Sequence, residues 1–428
     1  MIATEVLDRT VVGDNLIVTE EVSPMPAIIS WPTVVEEALR AYGDLFANDP
    51  ERRHFAEYLT GLMVAARKTV TGINAEFAVT TDQSCLNRWL TEVSWDVHAL
   101  NRRRLQELQR DPSTRYAPSG VIAIDNVLVD HAGELIADVG WFWDHAEGRS
   151  VIAHDYVIAN YVCPSGKHYP LEFRRFVKRD AASPGTFQDH NELVRALIAW
   201  VCAEGIPGDF TFDCYFTSAE TLNALHARRR NYVADLKANR TVVFLGQEMS
   251  AAAVAQQIAP ADRKVLVVGE QRQYYFTKSV RVPKLTHPVR LVILWQQRDD
   301  ATPMKFLLTN RTYWEVTRIV RVYRKRWTGT ECFHRDGKQQ LGMGACQVRS
   351  GPGQTRHLYL VFLAYSLLMR WLRQSRAKEW ALMTLTTIGE ACRAVLRETL
   401  QRTITWAIER ATIEHWPTPR ICQVLQLA

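Results

Sequence analysis

Tyr323 to Arg349 reads YRKRWTGTECFHRDGKQQLGMGACQVR. Within sixteen positions it sets five basic residues, Arg324, Lys325, Arg326, Arg335 and Lys338, beside Glu331, an acid expected to be buried. Seven positions separate Glu331 from Lys338; on a helix that is two turns, so the two share a face about 10 Å apart. An exposed helix laced with ion pairs would account for such charges alone. Trp327, Phe333 and Leu341 lie among them, however, so part of the helix packs. The chemistry this pattern suits is a carboxylate that holds a divalent cation while its basic neighbours hold phosphates.

The order Tyr323, Arg326, Glu331, Lys338 resembles the signature of bacterial insertion-sequence transposases of the IS-four superfamily. The words GTE-FHRDGKQ-LG and the later CQVR resemble its IS-seven-oh-one group. The superfamily pattern leaves two, three and six residues between these four positions, and this chain leaves two, four and six. The extra residue falls in Thr328-Gly329-Thr330. One inserted residue turns the remainder of the helix by about 100°, taking Arg326 off the face of Glu331. A one-residue bulge at Gly329 would absorb it, as bulges inside helices do, often at functional sites.

Composition sets the wider bounds. The chain has 428 residues, 47% of them hydrophobic and 23% charged, enough for two to four domains with cores of their own. The net charge of +6 permits a nucleic-acid partner without demonstrating one. Basic residues cluster at Arg102–Arg104, Arg174–Arg179, Arg228–Arg230 and Arg318–Arg326. A single such cluster is usually a solvated face, and four together point to a phosphate-binding surface. The eight Cys form no CxxC pair, which argues against a disulfide framework or zinc ribbon and fits a reducing cytoplasm. Cys332, His334 and Cys346 match no common zinc module. Acids at Glu5 and Asp8 argue against a signal peptide, and the longest apolar run, Leu358 to Leu368, is too short to span a bilayer. A soluble, cytoplasmic protein with no membrane partner is expected.

Along the chain, residues 1–30 read as a loosely attached arm, and 31–112 as a helical domain whose last helix presents Arg102, Arg103 and Arg104. That domain is either a packing unit or a DNA-end-binding bundle with a helix against the duplex. The words YLTGL, LNRWLTE and W-D-----N-RRL also resemble the transposase group. A linker, RDPSTRYAPS, leads into three strand-like runs expected to form an antiparallel meander, then helix, strand and helix over 118–230. This is the order of an RNase H-like core. A β-rich insertion subdomain comes next at 231–300, as the resemblance implies. The core resumes over 301–352, with Thr312 or a neighbour capping the helix that leads to Glu331. A C-terminal helical region, 353–428, would pack on the core or carry dimer contacts. The fold class is thus α+β or α/β.

Asp125 interrupts the apolar run Val121–Ile124, and Asp213 closes Phe210-Thr211-Phe212. An acid in a buried strand is costly unless it binds something. Taken singly each Asp reads as a hydrogen-bonded turn or edge residue. In the order strand, strand, helix, and inside words that resemble the family, Asp125, Asp213 and Glu331 form a catalytic, metal-binding triad. Asn126 departs from the group's pattern, in which a second Asp commonly follows the first. Two Mg²⁺ ions, with Mn²⁺ able to substitute, would polarise the phosphate and activate the attacking and leaving oxygens. Tyr323, Arg326, Arg335 and Lys338 would contact DNA, and Trp295 would stack on an extruded base. The resemblance implies a nucleoid-associated DNA transposase that binds terminal inverted repeats as a dimer, nicks each end and joins the freed 3′-hydroxyl to target DNA. A non-catalytic, domesticated DNA-binding module and a structure-specific nuclease on the same core are the alternatives.

Overall fold

The computed structural model describes residues 26–374 and 383–427, so the arm up to residue 25 lies outside the described residues. The N-terminal helices are α1 (Thr33–Tyr42), α2 (Asp49–Val64), α3 (Val70–Ala75), α4 (Gln83–Thr91) and α5 (Val97–Arg110). Side chains that accept a backbone N–H of the first turn start four of them: Asn48, Thr69, Asp82 and Asp96. Pro32 stands just ahead of α1, where its missing N–H costs nothing.

The sheet begins with β1 (Val121–Asp130), β2 (Gly140–Asp144), β3 (Arg149–Val162) and β4 (His168–Phe176). Helix α6 (His190–Ala203) leads to β5 (Asp209–Phe212), and α7 (Ala219–Ala227) leads to β6 (Tyr232–Asp235). The expected meander is a different arrangement. β3, at fourteen residues, pairs antiparallel with β1 along one edge and with β2 and then β4 along the other. β4 is not expected from the sequence, because its residues HYPLEFRRF mix proline and charge into the strand pattern. β1, β5 and β6 are mutually parallel. Three antiparallel strands, then two parallel ones reached through helices, make the RNase H-like core.

The β-rich stretch beyond it is hydrogen-bonded into this core rather than standing apart. β6 begins one residue past the boundary expected at 231, yet it is the core's fifth strand. Only β7 (Thr241–Phe244) and β8 (Gln247–Ser250), followed by α8 (Ala251–Gln256), form a separate hairpin. β9 (Lys264–Val268), β10 (Gln271–Val280), β11 (Val289–Trp295) and β12 (Lys305–Thr309) extend the sheet, with β12 antiparallel to β6. The sheet thus runs β2-β3-β1-β5-β6-β12-β11-β10-β9, ten strands in all with β4. Strand-length apolar runs next to a parallel edge find backbone partners there, which satisfies the edge without a second core.

The chain then enters α9 (Val316–Gly329) and α10 (Glu331–Leu341), followed by α11 (Gly351–Trp371), α12 (Ile388–Thr412) and α13 (Thr418–Val424). Helix α9 starts after Glu315 with no side-chain cap, so Thr312 does not cap it. α11 is buried almost all round. It packs with the N-terminal helices, α10 and α12 in one apolar cluster that also takes Val127 and Val129 of β1. The helical segments at the two ends of the chain therefore share a layer. On the opposite face, α6 and α7 cover Ile122, Ile124, Phe210 and Phe212. No described helix is long and apolar enough to cross a membrane.

Candidate active site

In three strands of the parallel part an apolar run leads into an aspartate: Val121-Ile122-Ala123-Ile124-Asp125 in the middle of β1, Phe210-Thr211-Phe212-Asp213 just past the end of β5, and Tyr232-Val233-Ala234-Asp235 closing β6. Register aligns them. Ala123 pairs with Thr211 and Phe212 with Ala234, so two residues further along β1 Asp125 comes level with Asp213. The carboxyl ends of parallel strands are where open α/β sheets bind ligands. Asp125 and its partner Ile158 point to the face covered by α9 and α10.

Gly329 permits that cover. A Cβ there would lie 2.8 Å from Val162 Cγ2 and 2.9 Å from Ala123 Cβ, so only glycine lets the helix touch the sheet beside Asp125. The helix is interrupted one residue later than expected, at Thr330 (φ −102°, ψ −64°), rather than bulged at Gly329. The interruption accommodates the extra residue. Arg326 Nη1 lies 2.5 Å from Asp125 Oδ2 and 3.8 Å from Glu331 Oε1, so Arg326 and Glu331 face the same point after all. Thr330 Oγ1 reaches Asp125 Oδ2 at 3.4 Å.

Electrostatics binds the group together. Burial pushes the Asp125 carboxyl up to about 7, Arg326 opposes this, and the charges of Asp213 and Glu331 add to it. Burial works against the charge of Arg326, but Asp125, Tyr323, Asp213 and Glu331 outweigh it and hold the guanidinium above its ordinary value. Asp125 therefore sits between two other carboxylates with one arginine countering all three. Glu331, expected to be buried, is 40% exposed along its side chain, because it opens the second helix at the surface end of the interruption.

The family model described as DDE superfamily endonuclease matches residues 42–264, just over half of the chain. The chain belongs to the DDE superfamily of endonucleases. The match takes in β1 and β5 with Asp125 and Asp213 and ends before α9, so Glu331 lies beyond it. No curated protein matches the chain.

DDE endonucleases work with divalent ions, and the residues present fit such a group. Asp125, Asp213 and Glu331 offer the oxygen ligands that Mg²⁺ or Mn²⁺ prefers. Among the described residues, the acids whose oxygens all lie within 4.8 Å of one another are Asp130, Asp144 and Glu147, so the Asp125 group is more open.

Of the other residues of this DDE endonuclease that the sequence singles out, Tyr323 lies near the acids and Trp295 does not. Tyr323 donates from its hydroxyl to Asp235 Oδ2 (3.2 Å), and Lys305 Nζ lies 2.6 Å from the same oxygen. Sequence reasoning misses Asp235 and Lys305, although YVAD repeats the pattern of an acid closing an apolar strand. Lys338 is exposed near Asp130, and Arg335 is exposed and paired with Asp336. Trp295 is fully buried with the Arg263 guanidinium 4.1 Å from its ring centre, so no base can reach it. An exposed tryptophan, Trp327, 60% accessible, follows Arg326 in α9. Nor does α5 present three arginines. Arg104 is 1% exposed and bonded to Asn101, Ser366 and the carbonyls of Pro170 and Leu171; its position in the helix falls on the packed stripe. Arg103 is tied to Asp44 and the Ala41 carbonyl, and Arg102 to Asp96.

Proposed function

We propose that this DDE endonuclease is the transposase of a bacterial insertion sequence, related to the IS-four superfamily and its IS-seven-oh-one group. It would bind the terminal inverted repeats, cut at each element end and join the freed 3′-hydroxyl to target DNA, acting as a dimer. The observation that carries this reading is the convergence of Asp125, Asp213, Glu331 and Arg326 on one point, with Tyr323 and Lys338 on the same helical segment.

In this reading Asp125, Asp213 and Glu331 hold two divalent ions, which supply a polarised phosphate and stabilised attacking and leaving oxygens. The chain's own residues place the DNA. Arg326, planar and charged, matches a phosphate as well as it matches Asp125, so an incoming phosphodiester competes for it. Tyr323 is steadied by Asp235, and Asp235 by Lys305, which fixes the phenol beside the same phosphate. Lys338, two turns beyond Glu331, is free to meet the backbone further along the strand. Trp327 offers an exposed ring where a base unstacked near the cut would find a partner.

The test is cleavage of a labelled duplex carrying the element's terminal repeat, with Mg²⁺, by the wild-type chain and by Glu331→Gln. Nicking that needs metal and disappears in the variant, with duplex binding retained, is the expected result. Binding by both forms with cleavage by neither would overturn the reading and leave a DNA-binding module. Cleavage without strand transfer would leave a nuclease.

A further inference from the structure

The two acids on the strands are each held by a backbone N–H from a residue just beyond them. Asn126 N donates to Asp125 Oδ1 (3.0 Å), and Tyr215 N donates to Asp213 Oδ1 (2.9 Å). The side chains of these same two residues are joined to each other on the opposite face of the sheet. Asn126 Nδ2 donates to Asp155 Oδ1 (3.0 Å), Asp155 Oδ2 lies 2.6 Å from His190 Nε2, and His190 Nδ1 lies 3.4 Å from the Tyr215 hydroxyl.

Each link has a reason to be where it is. Asp155 is on β3, diagonal to Asn126 across the β1–β3 pair, on the shared face. It is 3% exposed, so its carboxylate is too costly to bury without donors, and Asn126 and His190 supply them. His190 opens α6 and stacks on Phe176, ring centres 3.9 Å apart and planes 22° apart, which leaves its two nitrogens aimed in fixed directions. A carboxylate on Nε2 sets the tautomer: Nε2–H donates to Asp155, and Nδ1 accepts from Tyr215.

The geometry points to Asp155 and His190 as a positioning bridge that sets the distance between the Asp125 and Asp213 carboxylates, and with it the affinity for the ion they share. The inference rests on the metal-binding reading of those two acids. Asp155 and His190 stand on the face of the sheet opposite the Asp125 carboxylate and act only through Asn126 and Tyr215. The bridge occupies the place where a second acid after Asp125 would stand, and Asn126 suits it because an amide donates to Asp155 where a carboxylate would repel it.

The test measures Mn²⁺ binding to the full-length protein by calorimetry, without DNA, alongside thermal unfolding. His190→Phe keeps the ring stacked on Phe176 and removes both nitrogens; His190→Gln restores one donor and one acceptor. His190→Phe is expected to bind Mn²⁺ about tenfold more weakly with its unfolding midpoint near wild type, and His190→Gln to recover most of that loss. Tyr215→Phe removes one exposed hydroxyl without threatening the fold and should weaken Mn²⁺ about threefold. Wild-type affinity in a folded His190→Phe, or in Tyr215→Phe if the former does not fold, overturns the bridge. Asp213→Asn separates the two readings. If it abolishes Mn²⁺ binding while a folded His190→Phe binds as tightly as wild type, the bridge alone fails; if it leaves binding unchanged, the metal site itself is misassigned and the bridge falls with it.

Discussion

Replacing Gly329 with alanine is a direct probe of how the helix and the sheet assemble the site. The new Cβ would stand 2.8 Å from Val162 Cγ2 and 2.9 Å from Ala123 Cβ, against about 3.5–4.0 Å for an ordinary carbon contact. The helix must therefore retreat by about 1 Å. Overpacking of this kind costs about 1–3 kcal/mol, while alanine in place of glycine returns at most about 1 kcal/mol of helix propensity. The net loss, on the order of 1 kcal/mol, lowers the unfolding midpoint of a chain this long by only about 1 °C and leaves the protein folded. The chemistry suffers more. Arg326 lies three residues before Gly329 and Glu331 two after it, so both move with the retreating segment. A misplacement of about 1 Å at a reacting centre costs on the order of 10²-fold in rate. Metal-dependent cleavage of the terminal-repeat duplex should fall by about that factor, with duplex binding within about threefold of wild type. Adding Val162→Ala, which removes one of the two clashing groups, should return part of the activity. Cleavage by Gly329→Ala within threefold of wild type would refute the argument that this close approach sets the site.

The other predictions concern stability and DNA contact. Arg104→Ala strands the Pro170 and Leu171 carbonyls and Asn101 in the core and should cost about 3 kcal/mol, whereas Arg102→Ala, at an exposed pair, should cost under about 0.5; denaturant unfolding of both variants checks this. Trp295→Ala should destabilise by about 3–5 kcal/mol, while Trp327→Ala should leave stability near wild type and weaken binding to duplexes with unpaired bases at the element end, a comparison made by melting and by fluorescence titration. Burial holds His131 and His357 near 4 and His154 and His334 near 3, so each is neutral in the fold and gains a proton on unfolding below its ordinary value of 6.5. Stability present at pH 7 should drain away as pH falls from 6.5 towards 4, by up to about 1.4 kcal/mol per pH unit for each ring. Unfolding midpoints that hold steady from pH 7.5 to 5 would refute this.

The legible part of the fold is the part written in local pattern. Apolar periodic stretches mark the N-terminal helices, and β-branched and aromatic runs mark β1, β3 and β5. Pairing is not legible, because a strand's sequence records which face is buried and not which neighbour it bonds. β3 takes β1 on one edge and both β2 and β4 on the other, and β9 to β12 join the core sheet rather than form a body of their own. Arginine clusters mislead for a related reason. Three consecutive arginines on a helix spread over about 200° of its circumference, and in α5 the third, Arg104, falls on the packed side and becomes a core tie.

The segment from Arg326 to Glu331 marks the limit of reasoning from spacing alone. Five residues from Arg326 to Glu331 turn a regular helix through about 500°, which leaves the two side chains well apart in angle. Their convergence falls where one helix ends at Gly329 and another begins at Glu331, with Thr330 (φ −102°, ψ −64°) between them still bonded through its N–H to the Arg326 carbonyl. The same two residues do separate work. Gly329 lets the backbone reach Val162 and Ala123, and Thr330, fully buried, points its hydroxyl at Asp125. On a regular helix the two would stand about 140° apart, and both reach the site where the helix is broken. The interruption is therefore part of the site, and the extra residue in the sequence is its visible trace.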